Sequence, residues 1–456
     1  MMIKMLAIAL AAAATLPAAA PAQAHVEEVE LTITTADGQQ LPATLHLPPA
    51  ARPAAPGMVL VHGAGSGERD HYEREAAAFA RSGIATLTYD KRTVGYSLTE
   101  RSYSQLAGDA LAAADVLRGR REVDPAKVGL WGLSEGGWVA PLAASRDPRT
   151  AFVVVVGANG MTPLRQHSWA ERVKVEHAGV RGSMVDAYSR TFWRLLDAMG
   201  MFPEAHHDPA ATLRSLTLPV LGVWGAKDRI TAPVENVETF RRYLEAAGNR
   251  HYTLRTVADS EHRVLRSPDG WSTADEFAPG YVELVTGWVH EAVAGRAPSS
   301  SVDAAGEQSV PTRDMSPPAS FETASVQLGT LGVAAVGLGG FLLASLWRRV
   351  RGERTPWPAW VAAGAGLVAA LGAPVYLGYL QAVSGGTPTA NGVVDPGPLL
   401  AGRTLPWLGL QVLAVAAVVA AVVTFARTRP TGRHALLLVG GVAFAAWGVW
   451  WGLLLP

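Results

Sequence analysis

Three side chains far apart in the chain have the types that nucleophilic acyl transfer needs: Ser134, Asp228 and His262. Ser134 stands in VGLWGLSEGGWVA, residues 128–140, with Gly132 two places before it and Gly136 two places after. A serine placed on a sharp, strained turn between a strand and a helix needs neighbours without bulk at both positions, so that strand and helix can approach. Gly132 and Gly136 meet that need, and Gly137 adds clearance. A helix starting there also aims its first amides at the hydroxyl, favouring negative charge that develops on a substrate oxygen.

A serine hydroxyl is a weak nucleophile until a base takes its proton. After a turn of this type the acid and then the histidine follow in chain order. Asp228 follows the apolar run LPVLGVWG in a Gly-x-x-Asp turn, and His262 lies in the loop after HYTLRTVAD. Glu235 and Asp259 are rival acids, though each falls later than the expected turn. His251 sits at a strand start and His290 on a helix; His206 and His207 form a solvated pair without nearby metal ligands. A tetrahedral intermediate needs two backbone donors. The amide of Glu135, directly after the serine, supplies one, and the loop His62-Gly63-Ala64-Gly65-Ser66-Gly67 supplies the other, with Ala64 the donor beside Gly63. Reading that loop as a phosphate cradle fails, because residue 68 is Glu and no Gly-Lys-Ser/Thr follows. His62 then has a structural part, holding the loop by a hydrogen bond. No metal and no cofactor is implied.

These residues need a scaffold that brings strand ends together. Between residues 26 and 295 short apolar runs (MVLVHG, GIATLTYD, KVGLWG, AFVVVVGA, LPVLGVWG, HYTLRTVAD) alternate with helical patterns such as SQLAGDALAAADVLRGR. Continuous apolar runs suit strands buried on both faces, and the alternation predicts an α/β fold with a mostly parallel sheet of eight strands between helices. An opening hairpin is expected around Asp37-Gly38. About 60 residues separate AFVVVVGA from LPVLGVWG, too many for one crossover; residues 160–215 are therefore read as an inserted helical cap.

The ends of the chain read differently. Residues 1–24 have the charged, apolar and small-residue order of a secretory signal, with cleavage after Ala24; an uncleaved anchor is the alternative. Residues 296–323 (APSSSVDAAGEQSVPTRDMSPPAS and its flanks) are poor in bulky apolar side chains and read as a flexible linker. Residues 324–456 hold four apolar segments, near 326–347, 357–380, 405–426 and 435–455, each long enough to span a bilayer. Arg348, Arg349, Arg351 and Arg354 follow the first, and Arg427, Arg429 and Arg433 follow the third. If arginine-rich loops stay cytoplasmic, residues 25–322 lie on the extracytoplasmic side of a bacterial cell membrane. The spans carry no Asp, Glu, Lys, Arg or His, which favours an anchor over a transporter; a lipid cavity feeding the hydrolytic residues is the other reading.

The whole chain has 456 residues, 49% of them hydrophobic, a formal charge of zero and no cysteine. Balanced charge speaks against a nucleic-acid partner. The absence of cysteine removes disulfides, thiolate metal sites, a cysteine nucleophile and a lipoprotein anchor together.

In order and spacing, VLVHGAGSGERD, TYDKRTVGYS, GLWGLSEGGW, VWGAKD and DSEHRV resemble the α/β-hydrolase superfamily, especially bacterial carboxylesterases of the EstD type and their serine-aminopeptidase-like relatives. The resemblance covers residues 30–295. It implies Ser134 as nucleophile, Asp228 as acid, His262 as base, and oxyanion donors at Ala64 and Glu135. Thr93 departs from the pattern, which usually has glycine after the arginine. The four-span tail is no part of it. The expected activity is hydrolysis of a small-molecule or lipid carboxylic ester through an acyl-enzyme, with peptidase or amidase action as the nearest rival. A non-catalytic membrane sensor or scaffold is the alternative from another class.

Overall fold

The computed structural model describes residues 26–49, 54–97, 99–303, 306–383, 395–429 and 432–455. The secretory signal expected at residues 1–24 lies outside the described residues.

Nine strands form one sheet: β1 (Glu27–Thr34), β2 (Gln40–Leu47), β3 (Ala55–Val61), β4 (Ala85–Tyr89), β5 (Val123–Leu133), β6 (Val153–Val156), β7 (Val220–Gly225), β8 (Tyr252–Val257) and β9 (Ser301–Asp303). Their spatial order is β1-β2-β4-β3-β5-β6-β7-β8-β9. Strands β3 to β9 run parallel to one another, whereas β1–β2 and β2–β4 pair antiparallel. The sheet is thus mixed and has nine strands, not the eight expected. The opening hairpin turns through Asp37 and Gly38 and supplies the antiparallel edge.

Alternate residues of each central strand feed two cores, as a period of two requires when both faces are covered. Val59 and Val61 of β3 and Val153 and Val155 of β6 face a cluster with α2 (Tyr103–Arg118) and α3 (Gly136–Ala144). Met58, Leu60, Val154 and Val156 face the other, with α1 (Glu73–Arg81) and α9 (Tyr281–Val293). Helix α2 shows the local logic: Ser102 caps it by accepting from the Gln105 amide at 3.3 Å, and Leu106, Ala110, Ala113 and Leu117 recur at helical spacing on its buried side.

Between β6 and β7 lie α4 (Pro163–His177), α5 (Ser183–Asp186), a π-helical turn at Ala187–Phe192, α6 (Trp193–Ala198) and α7 (Pro209–Leu213). Helix α8 (Pro233–Ala246) follows β7. The C-terminal part has four long apolar helices, α10 (Ala324–Val350), α11 (Trp357–Val383), α12 (Leu405–Arg427) and α13 (Gly432–Trp450). They alternate in direction. Arg433 Nη1 donates to Thr355 Oγ1 at 2.9 Å, joining the two arginine-rich connections at one end. At the other end Trp451 Nε1 donates to Gln327 Oε1 at 3.1 Å.

Two features differ from the sequence expectation. The segment read as a flexible linker contributes β9 to the edge of the sheet, and its later residues lie along the cap helices. The Thr312 hydroxyl accepts from Arg165 and donates a hydrogen bond to Glu235, Trp169 Nε1 donates to Val310 O at 2.9 Å, and Arg194 pairs with Glu322 at 2.7 Å with both side chains buried. This segment buries little of its own; its order comes from partners elsewhere. The cap helices also share a core with the apolar bundle: Val180, Met184, Tyr188 and Phe192 pack in one cluster with Phe341, Leu377, Trp407 and Trp451. Ser183 fixes the join, donating to Gly452 O at 2.7 Å and accepting from Gln411 Nε2 at 3.1 Å.

Candidate active site

Strands β5, β6, β7 and β8 are neighbours and parallel, so their C-terminal ends form one rim, the place where open α/β sheets bind ligands. Ser134 directly follows β5, Gly157 follows β6, Asp228 lies three residues past β7 and His262 five past β8. Parallel pairing brings Asp228 and His262, 34 residues apart (262 − 228), into contact and puts Ser134, 94 residues before Asp228 (228 − 134), at the end of β5 on the same rim.

Ser134 adopts a φ of 55°, left-handed for a residue with a side chain. Such a conformation costs about 1–3 kcal/mol and persists only where the surroundings fix it. Here the Ser134 amide donates to Val156 O at 3.0 Å, tying the turn to the end of β6. The two glycines act as expected: a methyl at Gly132 would overlap the Gly136 carbonyl, and one at Gly136 would overlap the Val61 carbonyl.

His262 Nδ1 lies 2.8 Å from Asp228 Oδ2. The carboxylate can only accept, so Nδ1 carries the proton and Nε2 keeps its lone pair. Asp228 is fully buried. Its Oδ1 accepts from the amides of Ile230 and Thr231 at 2.7 and 2.8 Å, and Oδ2 also accepts from Thr231 Oγ1 at 2.5 Å. Burial disfavours a charged His262 ring, but attraction to Asp228 and their hydrogen bond outweigh it and hold the imidazole pKa above its ordinary value. The ring stands against Gly157, where a methyl would come within 2.7 Å of Cε1. The rival acids are engaged elsewhere: Asp259 with Lys227 at 2.8 Å, and Glu235 with Thr312 and Gln308. The rival histidines are also placed apart: His206 pairs with Asp197, and His290 bonds Ser82 O.

The loop after β3 lies against the serine, with the Gly63 Cβ direction 3.5 Å from Ser134 Cβ. Its donors are sorted by two tyrosines. Gly63 N donates to Tyr72 Oη and Gly65 N to Tyr96 Oη, both at 3.0 Å. Among the described residues the amides of Ala64 and Glu135 have no protein acceptor. Two free donors therefore flank the serine, as an oxyanion requires. His62 is buried and its Nε2 meets Tyr89 O at 2.5 Å; burial pushes its pKa down to about 3, so it stays neutral as a strut.

The sequence reading missed the groups beneath this loop. Glu135, 1% exposed, pairs with Lys91 at 2.5 Å and Arg101 at 2.7 Å and accepts from Tyr96 Oη at 2.9 Å. Burial opposes its charge, but these partners together hold its carboxyl below the ordinary range. Lys91 Nζ also reaches Gly63 O at 2.7 Å. The motif TYDKRTVGYS carried the signal, yet nothing local ties Lys91 to a residue 44 positions later. Thr93 is exposed and has no positive φ, so the departure there leaves the loop unstrained.

Gly63 has no positive φ, and a methyl there meets only ordinary contacts. Gly65, at φ 99°, needs glycine for its backbone alone. Gly65→Ala is thus expected to destabilise the protein by about 1–3 kcal/mol, with Gly63→Ala nearly neutral. Paired thermal unfolding curves check this, and equal melting points would remove the distinction.

A model of the Prolyl oligopeptidase family matches residues 97–282, which contain Ser134, Asp228 and His262. Among curated proteins the chain is similar to Esterase EstD of Thermotoga maritima, 23% identical over 274 residues, covering 55% of this chain and 63% of the relative. It is also similar to Thiohydrolase apmlB of Arthrinium phaeospermum, 33% identical over 134 residues, covering 28% and 42%. The chain thus spans less than two thirds of the length of these relatives. Among solved structures, the Pyrococcus furiosus esterase PF2001 aligns with a TM-score of 0.42 and 17% identity, over 62% of this chain and 96% of that one. Strand order, the strained serine between β5 and α3, and the segment matched by the family model together support an α/β-hydrolase fold for the part of the chain that carries Ser134, Asp228 and His262.

Proposed function

We propose that this protein is a membrane-anchored serine hydrolase of carboxylic esters. Ser134 attacks the ester carbonyl, His262 Nε2 takes its proton, and the amides of Ala64 and Glu135 receive the oxyanion. The alcohol leaves with the proton from His262, and water, activated by the same imidazole, releases the acid from the acyl-enzyme. Asp228 holds the tautomer and stabilises the imidazolium. The observation that carries the reading is the buried 2.8 Å contact between Asp228 and His262, on the rim that also presents Ser134 at φ 55°. The four apolar helices are the anchor, with the arginine-rich ends cytoplasmic and the hydrolase domain extracytoplasmic.

Amide hydrolysis is the second reading, favoured by the family match. A peptidase that selects a free amino terminus needs an unpaired carboxylate near the serine. The Glu135 carboxylate is neutralised by Lys91 and Arg101, which supports esters instead.

Full-length protein in detergent, given p-nitrophenyl esters from acetate to palmitate and matched aminoacyl anilides, tests the choice. Ester turnover with labelling of Ser134 by a fluorophosphonate is expected. Folded protein inert to esters and to the label would sink the hydrolase reading, and anilide turnover exceeding ester turnover would transfer it to peptidases. His262 must be neutral to act as base and its pKa is raised above 6.5. Therefore kcat/KM is expected to fall on the acid side with a midpoint above 6.5, and Asp228→Asn is expected to move that midpoint downward, because burial is then opposed only by the weaker attraction of Glu261. A pH profile of both proteins decides it.

A further inference from the structure

We infer that the protein carries a binding site for the phosphate headgroup of an anionic phospholipid, in a cavity between the cap and the end of α13. The inference rests on the proposal that α10–α13 span a membrane. The cavity, about 460 Å³, is lined by Arg172, Arg181, Arg190 and Arg313 on one side and by Trp450 and Trp451 on the other. Two of the arginines are neutralised: Arg172 by Glu176 at 2.8 Å and Arg313 by Asp186 at 2.5 Å. Among the described residues Arg181 and Arg190 have no carboxylate partner. Arg181 Nη1 donates to the carbonyls of Glu176 and Val180 at 2.8 and 2.7 Å, and Arg190 Nε is buried with no hydrogen-bond partner. The cavity wall therefore holds two uncompensated positive charges. Guanidinium forks match phosphate oxygens in charge and geometry.

The depth of the cavity selects the source of that phosphate. Helix α13 has 19 residues and so measures about 28 Å, close to the hydrocarbon thickness of a bilayer. Its start lies at the arginine-rich end beside Thr355, so Trp450 and Trp451 stand at the opposite interface, where tryptophan belongs. The cavity opens beside them, at headgroup level. A lipid phosphate held there has its glycerol and acyl chains against α13, and the site keeps the cap seated on the bundle. Neither Ser134 nor His262 lines the cavity, so binding there is separate from ester hydrolysis.

The test uses the full chain in nanodiscs of phosphatidylcholine with a minority of phosphatidylglycerol, re-extracted in mild detergent and weighed by native mass spectrometry. Wild type is expected to retain phosphatidylglycerol over phosphatidylcholine. Each uncompensated arginine removed is expected to reduce that retention by roughly five-fold, so Arg181→Ala with Arg190→Ala reduces it by roughly 25-fold. Arg181→Lys with Arg190→Lys, which keeps the charge but loses the planar fork and the Arg181 contacts, is expected to retain more than the alanine pair and less than wild type. Equal retention of the two lipids, equal retention by wild type and the alanine pair, or displacement of the lipid by millimolar inorganic phosphate each overturns the inference. Flotation with pure phosphatidylcholine vesicles after an alkaline wash separates the two readings. Protein that floats but shows no lipid preference overturns the headgroup site alone; protein that does not float overturns both.

Discussion

Ser134→Ala is expected to lower kcat for ester hydrolysis by about 10⁴–10⁶ while leaving the fold intact, because the hydroxyl is the one group whose loss removes covalent catalysis altogether. His262→Ala is expected to cost about as much, and the double variant hardly more, since a nucleophile without its base and a base without its nucleophile fail at the same step. Asp228→Asn is a subtler probe. The amide fills the same volume and still meets the Ile230 and Thr231 donors in part, but it no longer holds Nδ1–H through a charge, and a loss of about 10⁴ follows from the wrong tautomer. The residual rate in these four variants reports what the amides of Ala64 and Glu135 supply. Initial rates on one soluble ester, with circular dichroism for each variant, are sufficient. Additive losses for Ser134 and His262 would mean that the two do not act on the same proton, and the assignment would fail.

Glu135→Gln is expected to be among the most destabilising single changes in the hydrolase domain. Its carboxylate is the shared partner of Lys91, 3% exposed, and of Arg101, 15% exposed. Neutralising one member of a buried charge set leaves the others desolvated and uncompensated, at a cost of about 3–5 kcal/mol. In a domain of this size each kcal/mol lowers the melting temperature by about 2–4 °C, so a drop of about 6–20 °C is anticipated. The same change loosens the loop above, since Lys91 holds Gly63 O and Tyr96 holds Gly65 N. Activity should therefore fall more than melting predicts when measured well below the transition. Replacing Lys91 by Met and Glu135 by Leu together is expected to recover part of the stability, because only Arg101, 15% exposed, is then left without its carboxylate, but not the activity. Thermal unfolding of the single and double variants decides the matter; an unaltered melting point in Glu135→Gln would show that the network contributes nothing.

The sequence by itself determined the parts of this protein that depend on local constraint. Gly132 and Gly136 announce a serine on a strained turn, since only there do the Gly136 and Val61 carbonyls come too close for a side chain. Apolar runs of four to seven residues announce strands buried on both faces, as in β6. The presence and approximate places of α10–α13 follow from long apolar composition, although α13 ends at Trp450 and not near residue 455. Tertiary structure decided what depends on residues distant in the chain. Which acid meets His262 was open among Asp228, Glu235 and Asp259, and strand order closed it by placing β7 beside β8. The pairing of Lys91 with Glu135 had no local signal, because a buried ion pair leaves no periodicity. Residues 296–323 looked unable to order themselves, and alone they have little to bury. The described residues among them are held by the β8 edge, Arg165, Trp169 and Arg194, so their order belongs to the surfaces they cover. The seating of the cap on the apolar bundle is of the same kind: Ser183, Gln411 and Gly452 meet because the two layers pack, and composition describes each layer but not the contact between them.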